Sequence, residues 1–199
     1  GSTELSAKNM VVAPVTAGQS VWAAARGYLM EYRLEPTGAW TTRTIALPVE
    51  KDMVIVLEVD HGRVLTGTQA SLYELKGASD DLVELEVPEG CAGAIAVDIV
   101  DAMRTVGICR DGPVWQRHER ETPSLQVLEH GTKSRWADIA RTHDGLTWLL
   151  REDGMALYRN LGSPPVITLG SALGIIDPSR LFEDRESRIW VSSNHGFRK

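Results

Sequence analysis

The sequence predicts an all-β protein, a β-propeller built from four-stranded antiparallel blades of about 42 residues each. Three observations predict this fold. Large apolar residues, called anchors below, recur about every 42 residues, at Trp22, Val64, Val106, Trp148 and Trp190. Short apolar runs and runs of alternating polarity flank each anchor, and turn residues separate the runs. No window shows sustained helical periodicity, which disfavours a repeat protein made of helices.

Each element of the repeat has its own signal. An apolar run before the anchor predicts the first strand, as in MVIVL at 53–57 and AIAV at 94–97. The anchor lies on the second strand, where a large side chain can pack between sheets. In the second repeat, Leu65 fits this position as naturally as Val64. A second aromatic residue about ten positions later marks the third strand. Period-2 alternation predicts the fourth strand, as at 41–47, 82–87 and 165–169. Asp-Gly turns favour antiparallel hairpins over the main alternative, a β-solenoid.

The repeat divides the chain into blades. We assign 1–199 to a single propeller domain, with approximate blades at 10–51, 52–93, 94–135, 136–179 and 180–199, the last one partial. Four full blades and part of a fifth predict an incomplete or small ring. Blade faces and edge strands exposed in such a ring would favour a homo-oligomer.

Composition narrows the class of protein. The chain has 199 residues and a formal net charge of −6, which argues against nucleic-acid binding. No apolar run approaches the roughly 20 residues of a membrane span. Cys91 and Cys109 stand at no metal spacing, and both a disulfide and two reduced thiols stay open. No motif for a cofactor or a metal ion is visible, so none is expected.

The segment LFEDRESRIWVSSNHGF at 181–197 resembles the regulator-propeller repeat of sensor regions in bacterial two-component systems. IARTHDGLTWLLREDGMALYRN at 139–160 is a second match, and VDHGRVLTGTQASLYEL at 59–75 is a third. Ser187 replaces the turn glycine that is usual in this repeat. In that family the propeller is an extracytoplasmic ligand-sensing region, usually followed by an immunoglobulin-like module, a membrane span and a kinase or cyclase. The resemblance therefore implies a non-catalytic sensor domain in the periplasm or outside the cell.

Ligands of propellers usually meet the loops at one mouth of the central channel. On the present assignment this mouth holds the candidate ligand-binding residues Arg26, Gln69, Arg110, Trp136, Arg151 and Asn194. Connections between blades add Lys51, Lys133, Arg135 and Arg180. Convergent cations favour a small-molecule or saccharide ligand with an anionic group. Acidic residues lie among them, so a solvated rim of mixed charge is an alternative, as is a core role for Trp136.

Two further interpretations stay open. The chain could be a propeller-fold lyase or hydrolase acting on a polyanionic or cyclic substrate, with His143 or His195 and a rim arginine moving a proton. It could also be a protein-interaction platform without a small ligand. The histidines are scattered, however, and a histidine in a turn is usually only a tolerated polar residue. Glu183 and Asp184 are neighbours in a strand pattern, so we expect them to point to opposite faces rather than act as a pair.

Overall fold

A computed structural model of the chain describes residues 11–14, 20–25, 27–48, 54–68, 71–76, 80–91, 94–109, 112–119, 124–129, 134–170, 174, 177–193 and 196–198. Every regular element within these ranges is a β-strand, as the sequence predicts. The strands form five antiparallel sheets, each in sequential strand order, and these are the blades of a β-propeller fold. The chain separates into two compact units, with blades 1 and 2 in the first and blades 3 to 5 in the second.

The first unit contains two four-stranded blades. Blade 1 consists of β1 (Val11–Pro14), β2 (Ser20–Ala25), β3 (Tyr28–Leu34) and β4 (Trp40–Ala46). Blade 2 consists of β5 (Val56–Asp60), β6 (Arg63–Gly67), β7 (Leu72–Leu75) and β8 (Leu82–Leu85). An ion pair joins them, because Arg43 Nε on β4 donates a 2.7 Å hydrogen bond to Asp80 Oδ1 before β8.

The second unit contains blades 3, 4 and 5. Blade 3 consists of β9 (Ala94–Asp101), β10 (Arg104–Cys109), β11 (Val114–His118) and β12 (Ser124–Glu129). Blade 4 consists of β13 (Trp136–Arg141), β14 (Thr147–Arg151), β15 (Gly154–Tyr158) and β16 (Ile167–Gly170). Blade 5 has three strands, β17 (Pro178–Glu183), β18 (Ile189–Ser193) and β19 (Gly196–Arg198).

The anchors lie on the second strand of every blade, as the sequence predicts. Trp22 is buried in a cluster with Leu57 and Val59 of blade 2. Trp148 packs against a cluster that includes Leu181 and Val191 of blade 5. Each of these tryptophans therefore faces the blade that follows it in sequence. Packing of such large side chains between sheets stabilises these contacts between blades.

Val64 departs from this pattern. It shares the buried cluster of Trp22, so it faces the preceding blade rather than the following one. The anchor position of blade 2 therefore belongs to the next residue, Leu65, which points to the opposite face. The reason is hairpin length: Asp60 pairs with Arg63 across a two-residue turn, whereas five residues form the corresponding turns of blades 4 and 5. A one-residue change of register exchanges the two faces of a strand.

The first hairpins of blades 4 and 5 share one turn geometry. Thr142 N donates to Leu146 O at 2.8 Å, and Asp184 N donates to Arg188 O at 3.0 Å. One position in each turn has positive φ, and it is occupied by Gly145 in blade 4 (φ 85°) and by Ser187 in blade 5 (φ 60°). Ser187 thus occupies a backbone conformation that glycine adopts more readily.

A disulfide joins Cys91 and Cys109, which resolves the alternative that the sequence leaves open. Their Cα atoms are 5.4 Å apart, and 18 positions separate them in sequence. The bridge links the segment before β9 to the last residue of β10, so it restricts the conformations open to the chain segment that leads into β9.

Candidate functional site

The structure describes three of the residues proposed for the site, namely Trp136, Arg151 and His143. The other five lie outside the described residues: Arg26, Gln69, Arg110, Asn194 and His195. Lys51 and Lys133, predicted from the connections between blades, lie outside them too. The described part of the site therefore belongs to blade 4 and its neighbours in the second unit.

Trp136 and Arg151 lie side by side at one end of blade 4. They are paired in register between β13 and β14. The guanidinium carbon of Arg151 lies 5.4 Å from the centroid of the Trp136 ring, which is a cation–π contact. Trp136 is only 3% exposed, and its Nε1 donates a 3.2 Å hydrogen bond to the carbonyl oxygen of Gly112. This burial favours a core role for Trp136, which holds Arg151 in place.

Arg151 keeps part of its hydrogen-bonding capacity. Its side chain is 21% exposed, and its Nε lies 3.4 Å from Asp153 Oδ1. This is an ion pair, but Nε makes no hydrogen bond with the described residues. A guanidinium in contact with an aromatic ring can still bind a carboxylate through those N–H groups that remain accessible.

Arg180 lies against a buried carboxylate of the preceding blade. Asp138 on β13 is 4% exposed, and its Oδ2 accepts a 2.6 Å hydrogen bond from the backbone N–H of Leu181 on β17. Arg180 Nη1 lies 3.4 Å from Asp138 Oδ1. Burial raises the pKa of Asp138 to about 6, although Arg180 and the backbone hydrogen bonds oppose this rise. Asp138 thus links blades 4 and 5 through one carboxyl group.

Asp138 is not among the candidate residues predicted from the sequence. A signal was present, because Asp138 is the only acidic residue within the apolar run WADIA at 136–140. A charged residue inside an inner strand is buried only when it has partners. Those partners are about one repeat away in sequence, and their identity depends on how the blades stack.

His143 forms a second link between blades 4 and 5. Its backbone N–H donates to Glu183 Oε2 at 2.8 Å, and its Nδ1 lies 2.7 Å from Glu183 Oε1. The hydrogen bond and the charge of Glu183 raise the pKa of His143. The imidazole is 69% exposed, whereas Glu183 is 13% exposed.

His143 and Arg151 do not form one site. His143 lies in the turn before β14, and Arg151 is the last residue of β14. A strand of this length separates them by about 13 Å. Glu183 and Asp184 also have different partners. Glu183 contacts His143, whereas Asp184 Oδ2 accepts hydrogen bonds from Arg188 Nε at 2.6 Å and from Trp190 Nε1 at 2.7 Å. The expectation that these two carboxylates do not act as a pair agrees with this geometry.

Within the described ranges, no group of three or more His, Cys, Asp or Glu side chains is placed to hold a metal ion. The part of the chain that the structure describes also contains no helix long and apolar enough to cross a membrane.

The fold has close parallels among solved structures. The extracellular domain of the hybrid two-component system BT4673 from B. thetaiotaomicron aligns with a TM-score of 0.70 and 17% identity, over 92% of this chain and 26% of that one. The corresponding domain of BT3049 aligns with a TM-score of 0.68 and 17% identity, over 94% and 26% of the two chains. YCF48 from Cyanidioschyzon merolae aligns with a TM-score of 0.67 and 13% identity, over 89% and 64%.

The present chain spans about a quarter of the length of the two bacterial domains. No protein-family model matches the sequence, and no curated protein matches it. The predicted likeness to regulator propellers is thus confirmed at the level of the fold. The chain shares its β-propeller fold with extracellular domains of hybrid two-component systems.

Proposed function

We propose that this chain is an extracytoplasmic ligand-sensing β-propeller module of a bacterial signal-transduction protein. The observation that carries the proposal is the fold shared over 92% of the chain with the extracellular domain of a hybrid two-component system. The Cys91–Cys109 disulfide supports an oxidising compartment, because structural disulfides persist outside the cytoplasm and are rare within it.

The ligand we propose is a small molecule or saccharide with an anionic group. Arg151 is the described residue that supports this class, since its guanidinium carbon lies 5.4 Å from the Trp136 ring centroid and its side chain is 21% exposed. We propose that Arg26, Gln69, Arg110 and Asn194 complete the site, as the repeat register predicts. Asp153 weakens the attraction for anions, because its carboxylate pairs with Arg151.

Calorimetric titration with galacturonate and with galactose tests the ligand class. These sugars differ by a carboxylate, so we expect galacturonate to bind more tightly to the parent chain. Arg151→Met should remove this preference, and Asp153→Asn should strengthen it. Arg185→Met is the matched control, because Arg185 is an exposed arginine in the turn of blade 5. Equal binding of the two sugars, or full binding by the Arg151→Met variant, would refute the anionic-ligand proposal.

The lyase or hydrolase interpretation draws no support from the described residues. His143 is paired with Glu183 and lies at the other end of β14 from Arg151, so the two cannot act on one bond. We therefore expect His143→Ala to bind the same ligands as the parent chain. Turnover of a uronate-containing oligosaccharide that disappears in this variant would favour the enzyme instead.

A further inference from the structure

A β-bulge turns the Trp136–Arg151 pair of blade 4 towards blade 3. In a regular strand, side chains two positions apart share a face, so Trp136 would point with Asp138 towards blade 5. The bulge between these two residues breaks that alternation. Trp136 instead lies in a buried cluster with Val114 of blade 3, and its Nε1 donates to the carbonyl oxygen of Gly112 at 3.2 Å. The position of the ring is thus tied to one carbonyl group of the neighbouring blade.

Gly112 belongs to a turn that is linked to the disulfide. Its backbone N–H donates to Cys109 O at 3.2 Å, and Cys109 N donates to Pro113 O at the same distance. Cys109 is buried and is bonded to Cys91. Cys91 lies at the end of another turn, in which its N–H donates to Pro88 O at 3.1 Å. The disulfide therefore joins two turns, and one of them carries the carbonyl oxygen that accepts the indole hydrogen bond.

This turn packs closely against the bridge. A Cβ atom at Gly112 would lie 2.9 Å from Cys109 Cβ, closer than van der Waals contact allows, and 3.8 Å from the carbonyl oxygen of Gly90. The covalent link to Cys91 limits how far Cys109 and the backbone beside it can move. In sequence, Arg110 directly follows Cys109, and we have proposed it for the same ligand site. The bridge and the candidate site therefore meet at one turn.

We propose that the Cys91–Cys109 disulfide is a positioning element of the candidate ligand site. The bridge fixes the turn that carries Gly112, the Gly112 carbonyl orients the Trp136 indole, and the indole ring supports the Arg151 guanidinium. The disulfide thus acts on anion binding without touching the ligand. This role rests on the proposed function, because it belongs to the same site.

The ligand-free protein provides the first test. Cys91 and Cys109 are both replaced by Ser, and the indole N–H protons are followed by NMR. A hydrogen bond shifts an N–H proton downfield, so we expect the Trp136 signal to move upfield in this variant. The Trp190 indole, which donates to a carboxylate of its own blade, is the internal control and should not move. Gly112→Ala keeps the disulfide but forces the turn to change, so it should also move the Trp136 signal. An unchanged Trp136 signal in either variant would overturn the proposal, and Gly112→Ala decides alone if the double variant does not fold.

Calorimetric titration with galacturonate and galactose provides the second test. Removing the disulfide should lower the affinity for galacturonate relative to galactose by about threefold, the size expected for a weakened cation–π contact. Trp136→Phe lacks the indole N–H, so in that background removal of the disulfide should cause no further loss. The same threefold loss in both backgrounds would overturn the proposal, because the bridge would then act independently of Trp136. Equal binding of the two sugars by the parent chain would refute the anionic-ligand proposal instead, and the Trp136 signal would still decide whether the disulfide positions this pair.

Discussion

Replacing Asp138 with Asn is expected to change how the stability of the chain depends on pH. Asp138 is 4% exposed, and its pKa is raised from 3.8 to about 6 because burial disfavours the charged form. The folded state therefore holds this proton more tightly than the unfolded state does. Its contribution to stability is fully present below pH 4 and is lost as the pH rises to about 6.

The structure gives the size of this effect. A pKa difference of about two units corresponds to about 3 kcal/mol of unfolding free energy. Asn does not titrate, and its amide oxygen can still accept the hydrogen bond from Leu181 N–H. The ion pair with Arg180 exists only when Asp138 is ionised, and its effect is already included in the pKa of about 6. Between pH 4 and pH 7 the parent should thus lose roughly 2.5 kcal/mol of unfolding free energy relative to the Asp138→Asn variant.

Urea unfolding followed by tryptophan fluorescence at pH 4, 5, 6 and 7 measures this shift. Asp81→Asn, which removes an exposed negative charge, corrects for the general change in net charge. A difference between the Asp138→Asn variant and the parent that stays constant over this range would refute the reasoning. A shift in favour of the parent would mean that Arg180 lowers the pKa of Asp138 more than burial raises it.

Three further outcomes are expected. Replacing Cys91 and Cys109 together with Ser should lower the free energy of unfolding by about 3 kcal/mol, because the bridge closes a loop of about 18 residues; reductant should destabilise the parent and leave the variant unchanged. Glu183→Gln should lower the pKa of His143 in an NMR titration, and an unchanged titration would contradict the contact seen at Nδ1. Ser187→Gly should stabilise the chain by about 0.5–1 kcal/mol in thermal unfolding, because φ is 60° there; a loss of stability would show that the serine side chain contributes a contact.

The fold could be predicted from the sequence because large apolar residues recur about every 42 residues, and this spacing shows where equivalent strands lie. Trp22, Trp148 and Trp190 fall on the second strands of their blades, and Trp22 and Trp148 each pack against the blade that follows. The choice between Val64 and Leu65 stayed open because sequence spacing does not reveal the length of each hairpin. A shorter turn in blade 2 moves the anchor position to Leu65.

The candidate site could be predicted only in part. The repeat register placed Arg151 and Trp136 at one end of blade 4, and the structure brings them together. The partners of Asp138 and His143 could not be read from the sequence, because each is about one repeat away. A pattern within one strand shows which face a residue occupies. It does not show which atoms of the next sheet lie opposite.

The links between neighbouring blades also bear on how the chain folds. His143 contacts Glu183 across 40 positions, Asp138 contacts Leu181 across 43, and Arg43 contacts Asp80 across 37. Each of these links thus closes a loop of nearly the same length, and the entropy lost in closing it is nearly the same. Within each unit, a blade can therefore assemble on the blade synthesised just before it, without waiting for distant parts of the chain. An emerging polypeptide of this kind gains its structure in equal steps, one repeat at a time.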